Sequence, residues 1–532
     1  MDAEVLVVGG GPVGLALAIE LGMRGIAVTV VEQSARHSPQ PRAKTTNVRS
    51  MEHMRRWGIA ERIRASAPLP ADYPRSILFA TRLFGAPLAK FENAFYGTQG
   101  VRDDRFAEPA MWIPQFKVEA ALRARVAELP SVTLRLGTRF DALEQDAAAV
   151  TATVTDVAQG RTERIGAAWL VGADGARSPV REAIGARMQG EHAYAQHLNL
   201  VFRAPALREA MRREPALMYW LVNADAPSVT GPMDGEDVWF FMYSLGRDEK
   251  VPDDDTLRAY MNRAFGRDVA AEILVKDPWS AHSLIADRYR DARVLLAGDA
   301  CHLHPPFGGY GMNLGLGDAV DLGWKLAALL RGWGGPRLAD SYEQERRPVH
   351  RRVIEEAVAN HALLPRDLVR PLLEAPGAEG DAVRAEVGAS IGAAKSREFH
   401  TLGVVLGYSY AGSPLTVPDG SAPPADHYGR YEPAAFPGRR APHLWLRDGR
   451  SLFDLFGPGF TLLATQPGAD AAPFADAARA AAVPLAVVAP DEPRLAELYG
   501  APLALIRPDQ HVAWRGAEAR DAAAILDTVR GA

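Results

Sequence analysis

Val5 to Gly14 read VLVVGGGPVG, an apolar run that breaks into a glycine loop, and the next apolar run, VTVVEQ, closes on Glu32 and Gln33. Residues 4–8 predict a buried parallel strand, 13–24 a helix and 27–32 a second strand, so the chain opens on a βαβ unit. Gly9, Gly11 and Gly14 occupy a G-x-G-x-x-G frame. The first permits a tight turn, the second lets a pyrophosphate approach the backbone, and the third lets helix and strand pack closely. The helix entered through Pro12 and Val13 aims free N–H groups and its positive dipole end at that phosphate. Glu32 suits ribose hydroxyls, with Gln33 beside it, and an acid there disfavours a 2′-phosphate. The loop therefore expects FAD or NAD rather than NADP.

One glycine loop leaves many nucleotide folds open, and two further segments narrow the choice. Leu170 to Arg181 read LVGADGARSPVR, and Val294 to Asp318 read VLLAGDACHLHPPFGGYGMNLGLGD. Asp174 with Gly175, and Asp299, each follow an apolar strand, where a carboxylate points into the crevice at the strand's carboxyl end. Gly308, Gly309 and Gly311 are expected to free backbone N–H groups, with those of Met312 and Asn313, to face a flavin pyrimidine ring. Three such loops imply a long, bent dinucleotide, and FAD is the expected ligand.

Several residues stay open between two readings. Arg42, in PRAKTTNVRS, either neutralises a pyrophosphate or meets a nicotinamide, or is a surface arginine. The Gln115 amide, at a helix start, serves either a ribityl chain or solvent. His53 and His282 are proton carriers or ordinary packed histidines. Cys301, His302 and His304 form a compact C-H-x-H, but no second cluster completes a tetrahedral site, so no metal is expected and these read as loop residues beneath the flavin.

Composition excludes other classes. With 532 residues the chain exceeds one core and predicts two or three domains. A net charge of −5 without a basic run argues against nucleic acid. The single cysteine, Cys301, rules out an intrachain disulfide. Neither a signal-like start nor a membrane-length apolar window is evident, so a soluble, cytoplasmic protein with no membrane partner is expected.

The expected architecture is α/β: a Rossmann-type FAD-binding domain (1–72, 100–185 and 281–365) interleaved with an antiparallel-sheet substrate domain (73–99 and 186–280). A helical connector (366–400) and a small C-terminal α/β domain (401–532) follow. Helices are expected over 47–63, 113–129, 318–330 and 342–363, and a β-meander over 133–157. Aromatic-rich strands, LMYWLVNA and DVWFFMYSLG, nominate Met218, Tyr219, Trp239, Phe241 and Tyr243 as substrate contacts. Strand alternation allows only one of each neighbouring pair to face the pocket.

The GGGPVG, GADGARSPVR and GDACHLHPPFGGYGMNLGLGDAVDLGWKLA segments resemble the single-component, class A FAD-dependent aromatic hydroxylases. PRAKTTNVRSMEHMRRWGI, IPQFKVEAALRARV and YEQERRPV look like further blocks of that family, and GRRAPHLWL, SLFDLFGPGFTLL and IRPDQHVAWRG resemble its thioredoxin-like C-terminal extension. The resemblance spans nearly the whole chain and is nearest the phenol and polyketide hydroxylase branch. It implies a bound FAD, transient NADPH or NADH, O₂, and hydroxylation of a phenolic or polycyclic aromatic through a flavin C4a-hydroperoxide. Position by position, Asp174 matches the motif shared by FAD and the pyridine nucleotide, Asp299 the ribityl ligand, Pro306 the residue whose carbonyl borders the reacting oxygen, and Arg42 an arginine near pyrophosphate and nicotinamide.

Two departures stand out. Lys44 occupies the place where the phenol-hydroxylase branch carries an acid thought to help activate the phenol, and the thioredoxin-like part has no cysteine, leaving it a structural or homodimer-forming role. Two other readings are a flavoprotein oxidase or dehydrogenase, and a flavoprotein that binds and shelters a reactive aromatic intermediate.

Overall fold

Five strands run parallel in the order Val294–Leu296, Thr162–Gly172, Ala3–Val8, Val28–Glu32 and Val132–Leu136. The computed structural model that shows them describes residues 2–35, 43–246 and 249–532. Val5, Leu6 and Val7 are fully buried, as a parallel strand covered on both faces requires. Two hydrogen bonds stitch the exits of three neighbouring strands: Ala173 N–H donates to Val8 O at 2.8 Å and Ala297 N–H to Gly172 O at 2.9 Å. The three loops distant in sequence thus leave one edge side by side.

Local pattern and observed structure diverge at three places. Val132–Leu136, expected in the meander, pairs in parallel with Val28–Glu32, because that strand offers an open edge that residue alternation does not reveal. Thr138–Gln145 and Val150–Asp156 do form an antiparallel meander with Thr162–Gly172. The helix expected over 47–63 divides into Val48–Arg56 and Ala60–Ala65, since Gly58 takes φ +76° between them. The helix expected from Asp318 begins at Gly311. Its glycine-rich first turns look like loop in sequence, yet they serve close packing: a Cβ on Gly315 would meet Val13 Cγ2 at 2.5 Å.

The second large sheet has eight strands, ordered His302–Leu303, Glu272–Ala286, Met188–Arg203, Val238–Leu245, Ser228–Pro232, Met218–Leu221, Ile77–Ala80 and Pro87–Phe91. Its neighbours are antiparallel except Met218–Leu221 with Ile77–Ala80. One face packs on the helix Asp254–Phe265, through Leu257, Met261 and Phe265. The other meets the parallel-sheet domain and the helix Ala378–Phe399, whose Phe399 touches Phe79, Phe91 and Trp220.

The C-terminal sheet runs Leu485–Val488, Phe460–Ala464, Leu503–Ile506, Val512–Gly516, its first pair parallel and the rest antiparallel. Helices Ala472–Ala480, Arg494–Tyr499 and Ala522–Val529 complete it, the last unanticipated from sequence. No helix among the described residues is long and apolar enough to cross a membrane.

Buried charges tie this module to the first domain. Arg507 pairs with Glu345 at 2.6 Å, Asp321 at 3.1 Å and Asp509 at 2.6 Å, and Lys325 pairs with Glu345 and Asp321. Arg440 grips both oxygens of Glu52, which also receives Arg49. Burial alone would raise the Glu52 carboxyl, but Arg440 and Arg49 beside it hold it below its ordinary value. Arg440→Met, which strands that carboxylate, is expected to cost about 3–5 kcal/mol in denaturant unfolding, and the double change Glu52→Met/Arg440→Met to recover much of it. Because the Glu52 value falls on folding, its contribution is full above the unfolded carboxylate range and disappears as pH drops through the folded value. The difference between wild type and Arg440→Met should therefore shrink in acid, and a constant difference down to the acid transition would contradict the pairing.

Candidate functional site

The three loops and the inner face of the eight-stranded sheet enclose one cavity of about 480 Å³. At its first wall, Gly9 N–H donates to Val31 O at 2.8 Å with φ +110°, and a Cβ there would meet Ala173 O at 2.2 Å. Gly11 is extended, and nothing lies within 4 Å of where its Cβ would be, so the backbone is open to a close ligand. Pro12 opens the helix Pro12–Gly22, whose first amides have no intrahelical acceptor and point at that space. The Glu32 carboxylate accepts Gly10 N–H and Ser34 N–H, each at 2.8 Å, which orients it at the cavity while leaving lone pairs for hydroxyl donors. Gly14 packs back on Gly9 and Val7, and Gln33 is exposed; neither lines the cavity.

The second loop presents Asp174. Its Oδ2 accepts Val180 N–H at 3.0 Å, but Oδ1 is buried without a partner among the described residues. Burial lifts this carboxyl above its ordinary value, against the pull of the Ser178 hydroxyl, Val180 N–H and Arg181. Asp174 also lines the cavity, and a carboxylate with one oxygen left without a protein partner there fits a hydroxyl-bearing ligand. Gly175 lies beside it on the lining.

The third loop carries Asp299, exposed into the same cavity, then Pro306, Gly309, Gly311 and Met312. Gly309 N–H donates to Pro306 O at 3.2 Å, so this amide closes the turn instead of standing free. Asn313 does not line the cavity; its side chain accepts Asn47 N–H and donates to the Thr45 and Gly309 carbonyls, pinning residues 45–47 to the helix start. Gln115 lines the cavity with its amide donating to Glu119 at 2.9 Å. Arg42 lies outside the described residues.

Behind this loop lies Asp318, which sequence periodicity placed only as a helix start. It accepts Gly298 N–H at 3.0 Å, His302 at 2.9 Å, His350 at 2.7 Å and Arg346 at 2.8 Å. Burial opposes ionisation, but His350 and Arg346 hold the carboxyl well below its ordinary range. Cys301, His302 and His350 lie within 4.8 Å of one another, yet both imidazoles turn a nitrogen to Asp318. Burial pushes His350 down to about 3, leaving it a neutral hydrogen-bonding group. His53 is buried beside Trp57 and pushed well below its ordinary value by burial, and His282 accepts Ala193 N–H; neither lines the cavity.

On the sheet side, Met218 faces the cavity, but Tyr219, Trp239, Phe241 and Tyr243 do not. Pairing shows why. Trp220 opposes Val229, Val229 opposes Met242, and Met242 opposes Asn199, so one row crosses the sheet on the cavity face. Tyr219, Thr230 and Phe241 form the alternate row, packed against the helix Asp254–Phe265. The aromatic count in sequence was right for the sheet, but the parity was set by which face the parallel-sheet domain covers. Trp220, Phe240 and Met242, with Phe95, Trp112 and Phe307 from adjoining segments, form the apolar wall. Lys44 and Glu398 are the charged groups on this wall.

Comparison with known proteins agrees with this geometry. The FAD binding domain model matches residues 2–357, and the aromatic-ring hydroxylase C-terminal model residues 434–532. Tetracenomycin B2 monooxygenase-dioxygenase of Streptomyces olivaceus is 33% identical over 99% of this chain and 98% of its own. The rebeccamycin biosynthetic enzyme RebC with reduced flavin superposes with a TM-score of 0.91 at 36% identity, covering 100% of this chain and 99% of that one. Aklavinone-11 hydroxylase, in a ternary complex with FAD and aklavinone, gives 0.86 at 29% identity, covering 100% and 99%.

Asp299→Ala should weaken FAD retention by about 1.5–3 kcal/mol, the range for a charge-assisted hydrogen bond; an unchanged flavin dissociation constant would contradict the assignment. Phe240→Ala should raise KM for an aromatic substrate, in addition to the stability lost with a buried ring. Phe241→Ala, on the opposite face, should lower stability by about 3–5 kcal/mol and leave KM nearly unchanged. The reverse pattern would mean the faces are misassigned.

Proposed function

The chain belongs to the FAD-dependent aromatic-ring hydroxylases, and from that premise we propose that it inserts one oxygen atom from O₂ into a phenolic or polycyclic aromatic, with NADPH or NADH as the reductant. One observation carries the reading: the dinucleotide loops and an aromatic sheet face border a single continuous cavity, so a cofactor held by the loops and a flat substrate on the sheet face would adjoin.

Bound FAD supplies hydride acceptance and the transfer of oxygen from O₂ to the ring. The chain's own groups bind, orient and exclude water. Gly11 and the first turn of Pro12–Gly22 would receive the pyrophosphate, Glu32 the adenosine ribose, and Asp174 and Asp299 the hydroxyl-bearing linker. Amides at the start of Gly311–Leu330 would favour negative charge on the ring system's pyrimidine end. Trp220, Phe240, Phe307 and Met242 supply a flat apolar wall that orients a planar ring and keeps the site dry. No side chain needs to act as a covalent nucleophile, and Cys301, the one thiol, is fully buried and raised well above its ordinary value by burial.

A panel of phenols and polycyclic aromatics, screened for acceleration of NADPH and NADH oxidation, identifies an accepted ring. Under ¹⁸O₂ the hydroxylated product should then carry one labelled atom. Unlabelled product with stoichiometric peroxide would instead indicate an oxidase, and tight binding without nicotinamide consumption a sheltering protein.

A further inference from the structure

Lys44 is a cavity residue that the reading above leaves unused. It is half-buried and lines the space between the dinucleotide loops and the aromatic sheet face. Its ammonium sits 4.4 Å from the centre of the Phe240 ring, over its face. Among the described residues, no carboxylate reaches ion-pair distance and no hydrogen bond is made to it. The chain holds it firmly in place: Lys44 O accepts Ile113 N–H at 2.7 Å, and the adjoining Thr45–Thr46 strand pairs with Met111–Trp112. A buried cation over an aromatic ring, with no carboxylate at ion-pair distance among the described residues, is costly, and a cation–π contact offsets only part of that cost. The remainder is recovered when a ligand brings the opposite charge.

We propose that Lys44 is the group by which this cavity recognises an anionic oxygen, carboxylate or ionised phenol, on its aromatic substrate; the proposal rests on the hydroxylase reading. Such an oxygen on the ring also makes the ring electron-rich, the property an electrophilic hydroxylation needs. The surrounding charges leave this role to Lys44. Asp277 lies on the cavity face of the sheet, opposite Asn199, and acts on Lys44 from a distance. Glu398 is already paired with Lys395 at 2.7 Å, and Glu119 with the Gln115 amide. His304 is pushed down to about 4 by burial and is neutral at pH 7. Burial brings Lys44 down to about 8, with Asp277 opposing the fall, so its charge is present at neutral pH and lost just above it.

The test uses FAD-replete protein and three probes that share one bicyclic ring: 2-naphthoate, its methyl ester and 2-naphthol, with binding read from flavin absorbance and fluorescence. At pH 7, 2-naphthoate should bind about tenfold or more tightly than the ester, the scale of one charge-assisted contact. Lys44→Met should abolish that preference while keeping flavin and melting temperature. Lys44→Arg should retain it, and retain it at pH 9.5, where the wild type should have lost it. 2-Naphthol bound as its anion at pH 7.5 by the wild type and not by Lys44→Met would identify the ionised phenol as the source; 2-naphthol bound neutral by both, with the acid preference intact, would identify the carboxylate. Equal affinity for acid and ester in the wild type, or a preference surviving in Lys44→Met, overturns the role of Lys44 alone. Binding of none of the three overturns the aromatic-cavity reading, and Lys44 with it.

Discussion

The Asp318 carboxylate is the point on which the cofactor side of the structure depends. Four donors from three segments converge on it: Gly298 N–H at the third loop, His302 on the short strand leading to the sheet domain, and Arg346 and His350 on the helix Arg337–His361. An ionised carboxylate can be buried only when its lone pairs are filled this way, and filling them fixes the positions of everything that donates. Asp299 is one residue beyond the anchored Gly298, so the presentation of that acid to the cavity is inherited from Asp318. Tyr289, which donates to His350, extends the same network toward the sheet that bears the loops.

The second constraint is geometric. Parallel strands joined side by side release their loops at one edge, and a ligand crossing several strands must lie along that edge. The sheet domain closes over it with whichever strand face is turned inward. Because side chains alternate, that one choice sends Met218, Trp220, Phe240 and Met242 to the cavity and Tyr219, Trp239, Phe241 and Tyr243 to a separate core. The aromatic wall and the stabilising core behind it are opposite sides of the same strands, which couples substrate shape to domain stability.

The C-terminal module contributes no residue to the cavity lining. It contacts the cofactor domain through buried pairs, Arg440 with Glu52 and Arg507 with Glu345 and Asp321. These reach Val48–Arg56 and the helices Gly311–Leu330 and Arg337–His361, the elements that back the dinucleotide loops. Without cysteine, the module cannot act as a thiol reductant, and the buried pairs are what join it to the cofactor domain.

Much of the cofactor half was legible in the residues themselves. Gly9, Gly11, Glu32, Asp174 and Asp299 belong to short segments whose local chemistry, a tight turn or an acid at a strand end, is dictated by nearest neighbours. The start of the helix at Gly311 was not, because glycines chosen for close packing resemble a loop when their partner, Val13, is out of view. Nor was the face of the substrate sheet, since alternation defines two equivalent rows and only docking against the parallel-sheet domain tells them apart. Asp318, Glu398 and the surroundings of Lys44 are likewise products of assembly: a side chain's type is set by the sequence, but the partners it finds are decided by segments that meet only when the chain is folded.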